Sequence, residues 1–283
     1  MTIIIHPGKY VVAVSGGVDS VVLLDYMAGH SEYELIVAHF DHGIRDDSHQ
    51  DAIFVRSLAE KYGIPFESKR EELGKQASEE LARNRRYAFL RSVAKKYDGL
   101  IATAHHADDA VETIAINLMR GTGWRGLAVL DSDIIRPLLD MGKQDILDYA
   151  LAHNLSWHED STNASDAYLR NRIRRKTAQL SADDKQQLLG LRAHQIGLKN
   201  DIEREVRGLT GEKPTYSRYM LTHCDPKTAM ECLRVITRGT LTRPQLTRAL
   251  LAIKTNMPGT KFEAGRGVLF RFTSRNFEVE LIK

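Results

Sequence analysis

Two glycines set between two serines and an aspartate, Ser15-Gly16-Gly17-Val18-Asp19-Ser20, follow an apolar run directly and open a helix-period stretch. Glycine reaches backbone conformations closed to other residues, so successive amide N–H groups can converge on an anion, and the helix N-terminus adds its positive end. That chemistry is a phosphate cradle. The segment is not a Walker A loop, because no Gly-Lys-Ser/Thr follows, and its spacing is not that of the dinucleotide GxGxxG. An ordinary strand-to-helix turn capped by Asp19 or Ser20 would use the same residue types.

Four further segments carry reactive side chains. In Thr103-Ala-His105-His106-Ala-Asp108-Asp109-Ala-Val-Glu112, Asp109 and Glu112 are spaced i,i+3, which puts two carboxylates on one helix face. Such a pair holds a metal ion or an ammonium group; Asp108 and Glu112 also suit a helix start. Arg83 and Arg86 share a face of another helical stretch and form a clamp for a phosphate or a carboxylate. His39, His42 and Arg45 follow a strand-like run, His39 fitting either a nucleotide contact or a hydrogen-bonded core position. Finally, Arg170-Asn171-Arg172-Ile173-Arg174-Arg175-Lys176 follows Trp157-His158-Glu159-Asp160 and places five cations in seven residues, suited to RNA phosphates or to a triphosphate.

The elements that must position these residues alternate. Tyr10–Val14, Glu34–Ala38, Pro65–Ser68 and Leu100–Ala104 have strand length, and helix-period stretches at 21–27, 52–62, 81–97 and 111–119 lie between and after them. That alternation predicts an α/β fold with a doubly wound, mostly parallel sheet, whose ligands bind outside the carboxyl ends of the strands. A fifth strand is expected at Ile134–Arg136, ended by Pro137, and a helix from about Lys143 to His153. The stretch 156–181 is polar without a clear period. Helices resume at 183–191 and run to about Arg207. A helix at 244–254 and strand-like runs at 267–272 and 277–282 predict a smaller helical and α+β region.

Of the 283 residues, 42% are hydrophobic and 27% charged, which excludes disorder and collagen-like repeats. Only Cys224 and Cys232 occur, without metal-ligand spacing, so a zinc ribbon, iron–sulfur cluster or disulfide scaffold has no support. With no secretion signal and no long apolar run, a cytoplasmic protein with no membrane partner is expected. The net charge of +3 is unevenly divided. Residues 1–186 hold 23 Lys+Arg against 28 Asp+Glu, and residues 187–283 hold 17 against 9. A catalytic domain at 1–186 and a small basic domain at 187–283, binding a polyanion such as tRNA, are the expected division.

The hexapeptide resembles the pyrophosphate (PP) loop of the N-type ATP pyrophosphatases. In chain order SGGVDS, HFDHGIR, ARNRRYAFL, TAHHADDAVETI, RGTGWRGLAVL, IRPLL and WHEDSTNASDAYLRNRIR also resemble the tRNA(Ile)-lysidine synthetase family. That resemblance is dense over roughly the first 175 residues and implies the following. ATP and Mg2+ are the cofactors, and free L-lysine is joined to C2 of the wobble cytidine of isoleucine tRNA with a CAU anticodon. Ser15, Gly16, Gly17, Val18, Asp19, Ser20 and His39 would hold the nucleotide, and Asp19 would help place the metal. Asp109 and Glu112 would receive the lysine. Arg83, Arg86, His106, Asn171, Arg172 and Arg174 would contact substrates, and a homodimer is common in the family. Many relatives carry two appended domains where this chain has room for one. Competing readings are a tRNA-thiolating relative, which would need cysteines near the site, a small-molecule synthetase, or an RNA-binding protein without catalysis.

Overall fold

The computed structural model describes residues 5–43, 48–74, 77–158, 169–211 and 215–282, with the Leu169 and Asn171 side chains also outside the description. The chain divides into two compact units, Met1–Ala193 and His194–Lys283, the boundary falling inside one long helix.

The first unit holds β1 (Gly8–Ala13), α1 (Val18–Ala28), β2 (Tyr33–Asp41), α2 (Ser48–Lys61), β3 (Phe66–Arg70), α3 (Glu79–Tyr97), β4 (Leu100–Ala102), α4 (Ala107–Met119), α5 (Lys143–Ala152) and α6 (Leu169–Ala178). The start of α7 (Ala182–Thr210) also belongs to it. The strands pair in parallel in the order β3-β2-β1-β4. Alternation along them explains the layers. Val12, Val37 and Ala102 pack with Val22, Met27 and Val55 of α1 and α2 and with Ile146 of α5. Their neighbours Val11, Ile36 and Ile101 pack with Tyr87, Leu90 and Val93 of α3. Apolar residues on both faces make this a buried, doubly wound sheet. The chain steps outward from β1 to β3 and then returns to the other side of β1 for β4. The crevice between the carboxyl ends of β1 and β4 is therefore the point where strand order reverses, and such points bind ligands.

Two expectations need correction. The fifth strand is reduced to one parallel bridge, Ala102 with Ile135, held by Thr103 N–H to Ile135 O at 2.9 Å and Ile135 N–H to Ile101 O at 2.8 Å. Pro137 cannot donate to a ladder, and β4 stops at Ala102, short of the Ala104 end expected from its apolar run. Within the polar stretch, Leu169–Ala178 is helical, and among the described residues Ile173 and Thr177 are its buried ones. So few apolar residues leave no periodicity to read.

The second unit is α+β, with α8 (Arg218–His223), α9 (Pro226–Ile236) and α10 (Arg243–Thr255) beside a small sheet. Its strands β5 (Tyr216–Ser217), β6 (Lys261–Gly265), β7 (Val268–Phe272) and β8 (Asn276–Leu281) run antiparallel in the order β5-β8-β7-β6. Phe270, Phe272 and Phe277 form its core with Leu233, Leu246 and Ile253. Among the described residues, no helix is long and apolar enough to cross a membrane.

Candidate active site

The loop between β1 and α1 is built around one hydroxyl. Ser20 is buried, and its Oγ accepts from the N–H groups of Ser15 at 3.1 Å and Gly16 at 3.3 Å while donating to Gly17 O at 2.8 Å. Gly16 lies at φ +99°, a conformation costly for any residue with a Cβ. The loop is also clamped from outside. His158 N–H donates to Gly16 O at 3.0 Å, and His158 Nδ1 contacts Asp51 Oδ1 at 2.8 Å. Gly17 is the N-cap of α1, so the opening N–H groups of that helix face the loop without intrahelical partners. Val18 turns its side chain into the core, leaving its backbone as what it can offer an anion.

Across the crevice, α4 begins directly after β4. His106 caps it: the Asp109 carboxylate accepts from the His106 backbone N–H at 3.1 Å. The buried imidazole of His106 lies 3.6 Å from Asp109, 3.7 Å from Asp108 and 4.0 Å from Asp19. One histidine thus links the loop to the carboxylates of α4. The Lys143 ammonium, at the first position of α5, pairs with Asp19, and the Lys143 N–H donates to Asp108 Oδ2 at 2.9 Å. Lys185 Nζ reaches Asp108 Oδ1 at 2.7 Å. Burial raises the Asp108 carboxyl, but these two donors outweigh it and hold it below the usual range.

Asp109 and Glu112 do meet on one face, and two arginines from α6 answer them. Arg170 Nη2 lies 3.2 Å from Asp109 and its Nε 3.3 Å from Glu112; Arg174 Nε lies 2.7 Å from Glu112. Arg170 and Arg174 are one turn apart, which aims both guanidinium groups at one target. Arg172 points to solvent and takes no part in this cluster. The Glu112 side chain is 3% exposed, and the two arginines offset the cost of burying it. Burial opposes ionisation of Asp109 too, yet the neighbouring histidines, the His106 N–H and Arg170 hold it below the usual carboxylate range.

The remaining expected residues sit around this centre. His39 is buried on β2, its Nδ1 2.9 Å from Val14 O, with Nε2 lacking a hydrogen-bond partner among the described residues. His42 is partly buried, and burial and the Arg86 charge push it below its usual value, with Asp41 opposing. His105 contacts Thr103 Oγ1 at 2.9 Å, and burial, together with Arg136, Arg86 and Arg83 and against Asp109, lowers it to about 4. Arg83 and Arg86 both lie over the ring of Tyr87, at 4.8 and 5.5 Å. Arg45, Glu159 and Asp160 lie outside the described residues, as does the side chain of Asn171. Lys143 and Lys185 escaped sequence reasoning, since a lone lysine opening a helix carries no spacing signal. Arg170 stood inside the basic segment but not among the site candidates.

Residues 5–180 match the family model described as a PP-loop domain. The chain is 40% identical over 185 residues to the tRNA(Ile)-lysidine synthase of Geobacter sulfurreducens, covering 60% of this chain and 39% of that protein. It is 40% identical over 172 residues to the protein of the same name from Thermus thermophilus, covering 58% of this chain and 34% of that one. The match thus spans only between about a third and two fifths of the length of these relatives. Among solved structures, the U34-tRNA thiolase NcsA from Methanococcus maripaludis with its [4Fe-4S] cluster superposes with TM-score 0.56 at 18% identity, covering 69% of this chain and 73% of that one. That likeness concerns the fold.

Proposed function

The chain belongs to the PP-loop domain family, and from that premise we propose that it uses ATP to join L-lysine to C2 of the wobble cytidine in an isoleucine tRNA with a CAU anticodon. The cytosine O2 attacks the α-phosphorus and expels pyrophosphate; the lysine ε-amine then attacks C2, and AMP leaves. One observation carries this reading. A prebuilt anion loop and a pair of buried carboxylates stand on opposite sides of one crevice, joined by His106 within 4.0 Å of both Asp19 and Asp109. Two steps on one base need a phosphate subsite beside a cation subsite. The names of the matched relatives agree with it.

In this reading the loop amides and the α1 N-terminus hold the ATP phosphates and stabilise charge on the departing pyrophosphate. Asp109 and Glu112 bind the lysine ammonium, a role now filled by Arg170 and Arg174, so the amino acid competes with two internal cations. Because Asp109 stays below the usual carboxylate range, it orients the amine and is a weak base. Magnesium fits the residue set in one way. Among the described residues no three His, Cys, Asp or Glu cluster as metal ligands, whereas this ion takes one or two carboxylates together with phosphate oxygens and water. Asp19 at the loop edge would be that carboxylate. The ion would neutralise charge on the triphosphate. The unflipped anticodon base cannot reach the α-phosphorus, and a single-stranded loop lets it swing out at modest cost. The basic second unit would add phosphate contacts. Thiolation is disfavoured because both cysteines of the chain, Cys224 and Cys232, belong to the second unit.

The test is incorporation of labelled L-lysine into isoleucine tRNA with a CAU anticodon, with AMP and pyrophosphate release measured in parallel. Incorporation there, and none into elongator methionine tRNA with the same anticodon, is expected. ATP cleavage driven by another nucleophile would end the reading. Asp109→Ala should retain ATP and tRNA binding while lowering lysine-dependent turnover by at least about 100-fold, since it removes one ammonium partner. An unchanged apparent affinity for lysine would remove Asp109 from the lysine site.

A further inference from the structure

Two helices that open on the crevice end together at a cavity that the steps above leave unused. α1 begins at the loop and α5 begins with Lys143 on Asp19, and the cavity at their far ends lies roughly 15 Å from the loop along α1. It measures about 610 Å³ and is lined by Asp25, Tyr26 and His30 at the end of α1, Tyr62 just after α2, and Tyr149 and His153 at the end of α5. The Asp25 side chain is 15% exposed and sits in the last turn of α1, where a carboxylate has the wrong sign for the helix dipole. Neither α1 nor α5 carries a basic residue in its last turn. A carboxylate set against two negative helix ends costs stability unless a cation answers it.

The groups around Asp25 satisfy its hydrogen bonding without neutralising its charge. Tyr62 donates its hydroxyl to Oδ1 at 2.6 Å and Tyr149 donates to Oδ2 at 2.9 Å. His153 Nδ1 lies 3.3 Å from Oδ2 and is a cation only when protonated. Among the described residues Asp25 has no lysine or arginine partner; Lys61 rests over the Tyr62 ring at 5.1 Å without an ion pair to Asp25. Burial, then the hydrogen bond and the charge of Asp25, push both phenols above their ordinary value. Three of the roughly four lone-pair positions of the carboxylate are thus taken, which leaves little for the N–H groups of a primary ammonium. A quaternary ammonium needs none, because charge and aromatic faces hold it. The rings stand in place: Tyr26 and Tyr149 have centroids 6.4 Å apart, and His30 and His153 lie against them at 4.5 and 3.9 Å. We propose that this cavity binds a small organic cation with a quaternary ammonium head, Asp25 supplying the counter-charge and Tyr26, Tyr62 and Tyr149 the aromatic walls. The site is separate from the crevice and stands whichever amine the crevice ligates.

The probe is choline, compared with 3,3-dimethylbutan-1-ol, which replaces its nitrogen by carbon, and with ethanolamine, its primary-ammonium counterpart, at about pH 8, where free imidazole is neutral. Binding to the full chain is read from the choline methyl proton resonance, which aromatic walls shift upfield, and thermal unfolding is recorded for every variant. Choline should bind saturably and at least roughly 10-fold more tightly than either analogue. Asp25→Asn, which keeps the shape of the side chain, should weaken choline roughly 10-fold, and Tyr62→Leu should lose part of both the affinity and the upfield shift. Glu112→Gln should bind choline as wild type does. Equal affinity for choline and dimethylbutanol would make the cavity an apolar cleft and overturn the site. Tighter binding of ethanolamine would overturn the ligand class, since an N–H-donating ammonium would then be preferred. Affinity lost in Glu112→Gln and kept in Asp25→Asn would put the cation on α4 and overturn the site. Should Asp25→Asn fail to fold, choline against its neutral isostere on the wild-type chain decides.

Discussion

The two walls of the crevice are built by opposite means. The Ser15–Ser20 loop is shaped locally: the bonds of its two serine hydroxyls join residues two to five apart and the positive φ falls on one glycine, Gly16, with the His158 N–H on Gly16 O and Lys143 on Asp19 as its distant clamps. The α4 wall is long-range, since Glu112 is neutralised by Arg170 and Arg174, 58 and 62 residues later. A loop of neutral dipoles stays folded around an empty centre, while buried carboxylates cannot be left bare. The difference teaches that the loop is organised by its own backbone, whereas the carboxylates of α4 are held by the protein's own cations, which under the proposed function a substrate ammonium would have to displace.

Breaking the long-range wall should have the largest effect. Glu112→Ala takes the most buried carboxylate away from Arg170 and Arg174, leaving Asp109 near both and the exposed Glu79 beside Arg170. Removing one partner of a buried pair costs about 3–5 kcal/mol. The lower end applies here, because the Arg174 side chain is 43% exposed and can turn to water. Chemical denaturation of Glu112→Ala should therefore show a loss of roughly 3 kcal/mol, with Glu112→Gln keeping part of the hydrogen bonding. A loss under about 1 kcal/mol would mean that α6 does not depend on this carboxylate.

The next effect sharpens the comparison through pH. His105 has its imidazole lowered from 6.5 to about 4, with burial the leading cause and the arginines adding to it. Above 6.5 the ring is neutral in both folded and unfolded chains and contributes no pH dependence. Between 6.5 and about 4 the unfolded chain takes up a proton that the folded chain refuses, so stability falls as pH falls. Below 4 the difference is constant. The contribution is at most roughly 3 kcal/mol. His105→Gln should lose less stability than wild type across that window. Parallel curves for the two proteins would place the titration elsewhere.

This contrast also explains what could be read from the sequence. The loop hexapeptide, the β–α alternation and the Asp109/Glu112 spacing are short-range patterns set by backbone periodicity. Lys143 on Asp19 joins residues 124 apart, and no spacing rule announces it. The helix α6 was hidden for the same reason, because its arginines Arg170 and Arg174 are anchored by carboxylates of a distant helix and its described apolar burial is the single residue Ile173. The fifth strand failed differently. Two isoleucines and an arginine before Pro137 suit a short strand, yet one bridge was all the ladder that Pro137 and the short β4 allowed.

Within the loop, effects should be smaller and separable. At Gly16 an added Cβ would meet Phe54 and Val55 at 3.6 and 3.7 Å, ordinary contact, so the cost of Gly16→Ala is the φ of +99° alone. About 1–2 kcal/mol is expected from that strain. Activity should fall further than stability, because relief of the strain moves the amides that face the phosphates. A variant with native ATP turnover would show that the loop does not need this conformation.

Ser20→Ala is the mildest break. The hydroxyl accepts from two backbone N–H groups and donates to Gly17 O, and Ser20 is 5% exposed. Losing it should cost about 1–2 kcal/mol, because the exposed Ser15 donor can turn to water while the buried Gly16 donor loses its partner. If the hydroxyl is only a hub for the turn, the KM for ATP should rise modestly while the lysine KM stays fixed. Ser20→Thr, which keeps the oxygen, should then restore the ATP KM. If the hydroxyl itself touches a phosphate, kcat falls together with affinity and threonine does not restore it unless its methyl group fits under the loop. Pairing Ser20→Ala with Glu112→Gln tests the comparison directly. Additive losses would mean that the two walls act independently, whereas coupling above about 0.5 kcal/mol would mean that His106, within 4.0 Å of both Asp19 and Asp109, carries strain across the crevice.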